Sequence, residues 1–250
     1  MKTTFTTRRS LLAAACTLAF AAPFGLAHAD TVSGSGNVQK QARQVGHFTG
    51  VALSLPGTVE LHVGNTESVT VETDDNLLPL VETVVEDGTL KLRTSRRDTN
   101  LRTRNLKIVV TARAVERLSL AGSGSIESDP LRGSRLEFTI GGSGALNVKS
   151  VEAENVAVKL GGSGDLRVGG GNARNLSVSI GGSGNVEMGK VKIGSASVRV
   201  AGSGNATVWV QDSLDATVAG SGDVNYYGDP RVSQSVVGSG GARRMGPAPK

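Results

Sequence analysis

The sequence predicts an all-β fold: a right-handed parallel β-helix, or a close β-solenoid relative, with ~20-residue rungs and Gly-Ser-Gly corners. Three observations predict it. A Gly-Ser-Gly triplet recurs at a fixed interval, apolar and polar residues alternate on both sides of it, and 34 of the 250 residues are glycine. The right hand follows from the usual crossover of parallel strands.

The triplets set the period of the fold. They begin at Gly122, Gly142, Gly162, Gly182, Gly202, Gly220 and Gly238, so the spacings are 20, 20, 20, 20, 18 and 18 residues. Gly34-Ser35-Gly36 is a candidate eighth copy, out of phase with the others. A unit of ~20 residues cannot bury an apolar face alone, so the units must stack, with each strand parallel to its copy.

Apolar columns identify the core of the stack. In one repeat, Leu136, Phe138 and Ile140 precede the corner, and Leu146 and Val148 follow it, each separated from the next by one residue. This period of two is typical of strands with one buried face. Glycine at the corner is expected because the turn needs a positive φ and because stacked backbones approach closely there.

The last rung departs from this pattern. Gln234 stands where the other repeats have an apolar residue, and Ala242 and Arg244 follow the corner. An open rung is an unpaired sheet edge, so a polar last rung is predicted to act as a cap. Residues 245–250 are predicted to be a disordered tail.

Residues 1–29 are predicted to be an export signal. Lys2, Arg8 and Arg9 precede an apolar run, and Ala27-His28-Ala29 is a small-x-small cleavage site. The run is too short to span a membrane. Thr7 to Leu12 resembles a twin-arginine motif, and an ordinary secretory signal with two arginines is the alternative.

Removal of this signal changes the charge and the cysteine content. The remaining chain has 24 basic and 22 acidic residues and no cysteine, because the only cysteine is Cys16. A net charge of +2 without a basic cluster gives no indication of nucleic-acid binding. A chain without cysteine forms no disulfides, so packing and backbone pairing must stabilise it.

Residues 30–115 are predicted to be β-rich but less regular than the repeats of residues 116–244. Alternating strands occur around residues 51–55, 59–63, 69–72 and 106–110, and Glu86-Asp87-Gly88-Thr89 predicts a hairpin turn. Leu77 to Val81 is a candidate helical turn, and the cationic segment 93–104 is expected to be a loop. This half is predicted to lead into the same stack; a separate small β domain is the alternative.

The repeat resembles the head GIN domain family of putative autotransporter adhesins, a domain of unknown function. The resemblance covers about residues 45–241 and includes Asp75-Asn76-Leu77-Leu78, Asp87 to Leu92, and Tyr226-Tyr227-Gly228-Asp229-Pro230. It implies a β-helical fold and export to the bacterial envelope, in the periplasm or on the outer surface of a Gram-negative cell. It implies no catalytic residues.

Chemical motifs are weak. The triplet serines lack the Gly-x-Ser-x-Gly elbow of a nucleophile, and their seven copies indicate structural corners. Gly161 to Asp165 is similar to a calcium-binding repeat, but only two of six equivalent positions are acidic. His47 and His62 have no zinc-like spacing to other ligands. No metal, cofactor or catalytic residue is predicted.

Candidate contact residues are aromatic or cationic. Trp209, Tyr226 and Tyr227 lie near one end of the predicted stack, where they could stack on a sugar ring or form a packed lid. Arg96 and Arg97 lie in the cationic segment, which could meet an anionic glycan or be a solvated loop.

The predicted function is that of a non-enzymatic, exported envelope protein whose rigid surface binds carbohydrate or another envelope protein. One alternative is a β-helical lyase or hydrolase acting on polysaccharide, which rests on fold analogy alone. A scaffold or signalling component that binds another envelope protein is the other alternative.

Overall fold

The chain is almost entirely β-structure. The computed structural model describes residues 30–96 and 99–249. The irregular half contains β1 (Asp30–Ser33), β2 (Val38–Arg43), β3 (Gly50–Leu53), β4 (Thr58–Val63), β5 (Ser68–Asp74), a 3₁₀ helix (Leu78–Leu80), β6 (Val81–Glu86), β7 (Thr89–Thr94), β8 (Thr99–Arg102) and β9 (Lys107–Ala112).

The repeats contain twelve further strands. These are β10 (Arg117–Leu120), β11 (Ser125–Ser128), β12 (Leu131–Ile140), β13 (Ala145–Val148), β14 (Val151–Gly162), β15 (Asp165–Val168), β16 (Gly171–Gly182), β17 (Asn185–Gly202), β18 (Asn205–Gly220), β19 (Asp223–Tyr227), β20 (Arg231–Gly238) and β21 (Gly241–Gly246).

The repeats stack in parallel register, which confirms the β-helix. Val156, Val158 and Leu160 of β14 pair with Leu176, Val178 and Ile180 of β16, one period later. The columns predicted to be apolar are buried as far as Val224, with Phe138 and Val178 fully inaccessible. The hand of the coil stays a prediction.

The triplets form the corners, and main-chain contacts hold them together. Ser183 N donates to Gly162 O at 2.9 Å, and Ser203 N donates to Gly182 O at 2.9 Å. Gly162 and Gly182 have φ of +126° and +153°, a region that favours glycine. The triplet serine side chains of the repeats are exposed, so the main chain rather than a serine hydroxyl carries the stacking.

The order of strands in space differs from their order in sequence at the N-terminal end. β3 pairs in parallel with β7 on one side and with β10 on the other. β4 likewise lies between β9 and β11. The rung formed by β3 and β4 therefore lies inside the stack, and β7 and β9 form the rung beyond it.

Antiparallel strands cover this end of the stack. β5 pairs antiparallel with β9, and β2 pairs antiparallel with β5. The predicted hairpin is confirmed, since β6 and β7 pair antiparallel through Asp87 (φ +50°) and Gly88 (φ +67°). The predicted helical turn is the 3₁₀ helix at Leu78–Leu80.

The triplet at residues 34–36 is not a corner of the stack. Gly36 N donates to Asp74 Oδ1 at 2.8 Å, and the Ser35 hydroxyl donates to Asp75 Oδ1 at 2.5 Å. Asn37 Nδ2 also donates to Asp75 Oδ2 at 2.9 Å. The prediction of an eighth copy was wrong, because this triplet lies in the loop between β1 and β2 and is clasped by the end of β5.

Two other expectations need correction. The segment 93–104 is not one loop, because β7 extends to Thr94 and β8 pairs in parallel with β1. The tail begins later than predicted, because β21 includes Met245 and Gly246 and pairs with β19.

Candidate ligand-binding face

The strands that follow the triplets, together with β4, form one outer face of the stack, here called the binding face. Its outward residues align in register over successive rungs, because side chains alternate along each strand. One outward column contains Glu60, Glu127, Asn147, Arg167, Glu187, Thr207 and Asn225. Beside it runs a second column that contains His62, Asp129, Lys149 and Gly169.

A cleft opens between these columns. It has a volume of about 420 Å³, and its polar lining includes His62, Asp129, Asn147, Lys149 and Arg167. Gly169 contributes no side chain, so the second column is interrupted directly after Lys149. The cleft is lined by main chain at this point, because a Cβ added to Gly169 would lie only 2.7 Å from the carbonyl oxygen of Lys149.

An ion network fixes one wall of the cleft. Asp129 Oδ1 accepts a hydrogen bond from Lys149 Nζ at 2.8 Å, and Asp129 Oδ2 lies 3.0 Å from His62 Nδ1. The hydrogen bonds from Lys149 and His62 lower the pKa of Asp129, and Asp129 raises the pKa of Lys149. Near neutral pH, Asp129 is therefore anionic and Lys149 cationic.

The opposite column carries both charges and amides. Glu60 accepts from Lys107 Nζ at 2.9 Å, while the side chain of Arg167 is exposed. In the register of the sheet, Arg167 lies between Asn147 and Glu187. The cleft thus presents guanidinium, ammonium, carboxylate and amide groups from a rigid sheet.

The aromatic residues lie farther along the same face. Trp209 pairs in register with Tyr227, and Tyr226 pairs with Val208. All three aromatic side chains are half-buried, and Tyr226 packs against the core. A Cβ added to Gly189 would lie 3.5 Å from Cε2 of Tyr227, so the Tyr227 ring covers this glycine.

Trp209 has an unusual polar atom. Its indole Nε1 is buried and has no hydrogen-bond partner among the described residues. A β-bulge precedes it, since the register with β17 shifts between Met188 and Lys192. The three aromatic side chains, here called the aromatic margin, therefore pack partly against their neighbours and remain partly exposed on the binding face.

Of the cationic residues in the segment 93–104, none of those that the structure describes lines the cleft. Arg93 binds the hairpin, with Nε 2.6 Å from Glu82 Oε2 and Nη2 2.9 Å from Glu86 Oε1. Arg96 is exposed after the end of β7. Arg97 lies outside the described residues.

Sequence reasoning missed the cleft. His62 and Asp129 are 67 residues apart, and His62 comes from the irregular half. A partial signal existed, because Asp129 and Lys149 are 20 residues apart, which is the period of the repeat. Within residues 30–96 and 99–249, no cluster of three or more metal-ligating side chains occurs.

The chain matches a known family over most of its length. The model of the family described as "Putative auto-transporter adhesin, head GIN domain" matches residues 47–230. No match was found among curated proteins. In the part of the chain that the structure describes, no helix is long and apolar enough to cross a membrane.

Solved structures share the fold. A putative adhesin from Bacteroides fragilis NCTC 9343 is similar with a TM-score of 0.80 and 23% identity, covering 86% of this chain and 100% of that chain. A putative lipid binding protein from Parabacteroides distasonis ATCC 8503 gives 0.73 and 24%, with coverage of 86% and 100%. A putative adhesin from Parabacteroides merdae ATCC 43184 gives 0.67 and 19%, with coverage of 87% and 100%.

Proposed function

We propose, from the premise that the chain belongs to the head GIN domain family of putative auto-transporter adhesins, that it is an exported, non-enzymatic module that binds carbohydrate on its binding face. The cleft beside Gly169 is the observation that carries this proposal.

The lining of the cleft suits a sugar. Carboxylate, amide, ammonium and guanidinium groups offer donors and acceptors to neighbouring hydroxyls, and hydrogen bonds to charged groups are the stronger ones. Asp129, Asn147, Lys149 and Arg167 supply one of each group within the same cleft. The parallel sheet holds these groups in place, so little conformational entropy is lost on binding.

The aromatic margin extends the site along the stack. Trp209 and Tyr227 lie on the same face as the cleft and offer apolar ring surface beside polar groups. A ligand that reached from Lys149 to Trp209 would cross three rungs, or about 15 Å at the usual strand spacing. An extended oligosaccharide meets this requirement better than a single sugar.

The charge states of Asp129 and Lys149 favour binding over cleavage at this ion pair. A glycosidase needs a carboxylic acid that is protonated near neutral pH, but its hydrogen bonds lower the pKa of Asp129. A lyase needs a base that can accept a proton, but Asp129 raises the pKa of Lys149 and keeps it protonated. Both groups are therefore suited to bind and not to exchange protons.

Export supports an adhesive role. The predicted signal at residues 1–29 would direct the protein to the periplasm or the cell surface, where polysaccharide is available. The double substitution Arg8→Lys and Arg9→Lys would test the twin-arginine route. Undiminished secretion of this variant would exclude that route.

A glycan array probed with the purified protein tests the proposal. We expect binding of oligosaccharides that persists at physiological salt, with the ligand recovered intact by mass spectrometry. Cleaved ligand would instead indicate a polysaccharide-processing enzyme. If no glycan on the array binds, a protein partner is favoured instead, and a pull-down from envelope extract would search for it.

Two variants locate the site. Arg167→Ala removes a cleft donor and should weaken binding at least about tenfold, since a hydrogen bond to a charged group contributes ~1.5–3 kcal/mol. Arg199→Ala is the matched control, because Arg199 is exposed on β17 in the strand before a triplet, away from the binding face. Equal losses in both variants would contradict the assigned site. Trp209 is the single tryptophan, so its fluorescence offers a second readout.

A further inference from the structure

The last rung leaves one end of the stack open. β20 pairs with β18 and β21 pairs with β19, and among the described residues neither strand has a partner on its other side. Every residue of β20 is exposed. A strand with one free edge presents a row of unsatisfied backbone donors and acceptors.

Apolar side chains of the core are uncovered at this edge. Val232 and Val236 continue the inward columns of Leu214 and Val218. Each is 39% exposed, whereas Leu214 and Val218 are 1% and 0% exposed. Val237, on the outer side of the same strand, is 71% exposed. The predicted polar cap is therefore incomplete.

Arg244 covers only the neighbouring strand. Its Nη2 lies 2.7 Å from Asp229 Oδ1, and its Nε donates to Gly228 O at 2.9 Å. These contacts hold the guanidinium over the end of β19 and β21. On β20 the only charged residue is Arg231, at the start of the strand, and residues 232–238 are uncharged.

The outer strand at the opposite end of the stack carries a charge in its middle. β2, the outer antiparallel strand there, carries Lys40 and Arg43, and Lys40 pairs with Glu72 at 3.1 Å. Charges on an edge strand are a common means of preventing unwanted pairing. Residues 232–238 of β20 lack this protection, which favours a partner strand along this part of the edge.

The sequence of β20 identifies its partner. Residues 232–236 read Val-Ser-Gln-Ser-Val, a palindrome centred on Gln234. An antiparallel pair of two such strands about a twofold axis at Gln234 would oppose each Val232 with a Val236 and each Ser233 with a Ser235. We propose that a second copy of this chain docks on the last rung, so that two solenoids join end to end through β20.

This pairing satisfies the groups that the edge exposes. The four valines meet as two apolar cross-strand pairs and continue the core across the interface. The two Gln234 amides meet on the axis, where each can donate to and accept from the other. A twofold interface uses the same patch on both copies, so it closes as a dimer and does not extend into a filament.

The oligomeric state tests the inference. Sedimentation and light scattering of the purified protein should show a dimer that dissociates on dilution. Gln234→Lys would place two ammonium groups opposite each other and should raise the dimer Kd at least about tenfold. Gln39→Lys, the same substitution on the outer strand β2, is the matched control and should leave the dimer unchanged. A monomer at every concentration, or equal dimerisation of Gln234→Lys and unmodified protein, would overturn the proposal.

Disulfide trapping tests the register. In a Cys16→Ser background, Gln234→Cys places two thiols on the axis, where opposed Cβ atoms are ~4.5–5.5 Å apart and close enough to cross-link with small adjustment. Val237→Cys is more exposed but lies away from its own copy. Rapid cross-linking at position 234 and little at position 237 is expected. The reverse preference would exclude this register, and filaments or larger rings would show that the contact is not twofold.

Discussion

A Cβ added to Gly164 would lie 2.5 Å from the carbonyl oxygen of Gly144, on the preceding rung. The same Cβ would lie 2.8 Å from Cγ2 of Ile140, in the core. The third glycine of the triplet is therefore required by the distance between rungs. The first glycine is required also by its dihedral angle, as the φ of +126° at Gly162 shows.

Gly164→Ala should destabilise the protein by about 3 kcal/mol or more, because a carbonyl group of the backbone cannot move aside as a side chain can. Gly161→Ala is the control, since a Cβ there meets nothing within 4 Å. Urea unfolding should show a much lower free energy of unfolding for the first variant and almost no change for the second. Similar values for both would contradict the steric explanation.

The clasp around residues 34–36 should weaken in acid. The pKa of Asp74 is lowered by hydrogen bonds from the Thr103 hydroxyl and the Gly36 amide, against an opposing effect of burial. Hydrogen bonds from Ser35 and Asn37 lower the pKa of Asp75. A lowered pKa in the folded state stabilises the fold above the unfolded value of ~3.9, and this stabilisation is lost as the pH falls through the folded value.

Asp74→Asn should therefore lower the free energy of unfolding at pH 7 and reduce its dependence on pH below about 4. Asp212→Asn, an exposed aspartate on β18, is the matched control and should retain the dependence of the unmodified protein. Urea unfolding at a series of pH values provides the measurement. If all three proteins lose stability in parallel, the clasp is not the acid-sensitive element.

An amide ladder should stabilise the corner from Asp165 to Asn205. Asn185 Nδ2 donates to Asp165 Oδ1 at 2.8 Å, and Asn205 Nδ2 donates to Asn185 Oδ1 at 3.1 Å. Asn185→Ala removes both bonds and should cost ~1 kcal/mol, or ~2–4 °C in Tm. Asn172→Ala, at an exposed position of β16, should change the Tm by less than about 1 °C. Equal Tm values for the two variants would show that the ladder does not stabilise the fold.

The repeat could be predicted because its local pattern and its tertiary contacts obey the same period. The paired residues of β14 and β16 are 20 positions apart, as Val158 and Val178 are. The inward columns, the corners and the parallel register all follow from that spacing. The hairpin could also be predicted, because its turn depends on two adjacent residues, Asp87 and Gly88.

The cleft could not be predicted in the same way. Its wall joins His62 to Asp129 through side chains that belong to unrelated parts of the sequence. The placement of β4 between β9 and β11 brings them together. Only the contact between Lys149 and Asp129 could be predicted from the repeat, because these two residues are one period apart in the sequence.

The sequence by itself determined which residues face inward, where each rung turns, and that the rungs stack in parallel. The tertiary structure decided which rung lies beside which in the irregular half, and hence where β3 and β4 lie, what the triplet at residue 34 binds, and which end of the stack stays open. The physical reason is that backbone pairing is the same for every strand of alternating pattern. Apolar alternation therefore specifies a face and a register, whereas the choice of neighbour depends on packing and loop closure over the whole chain.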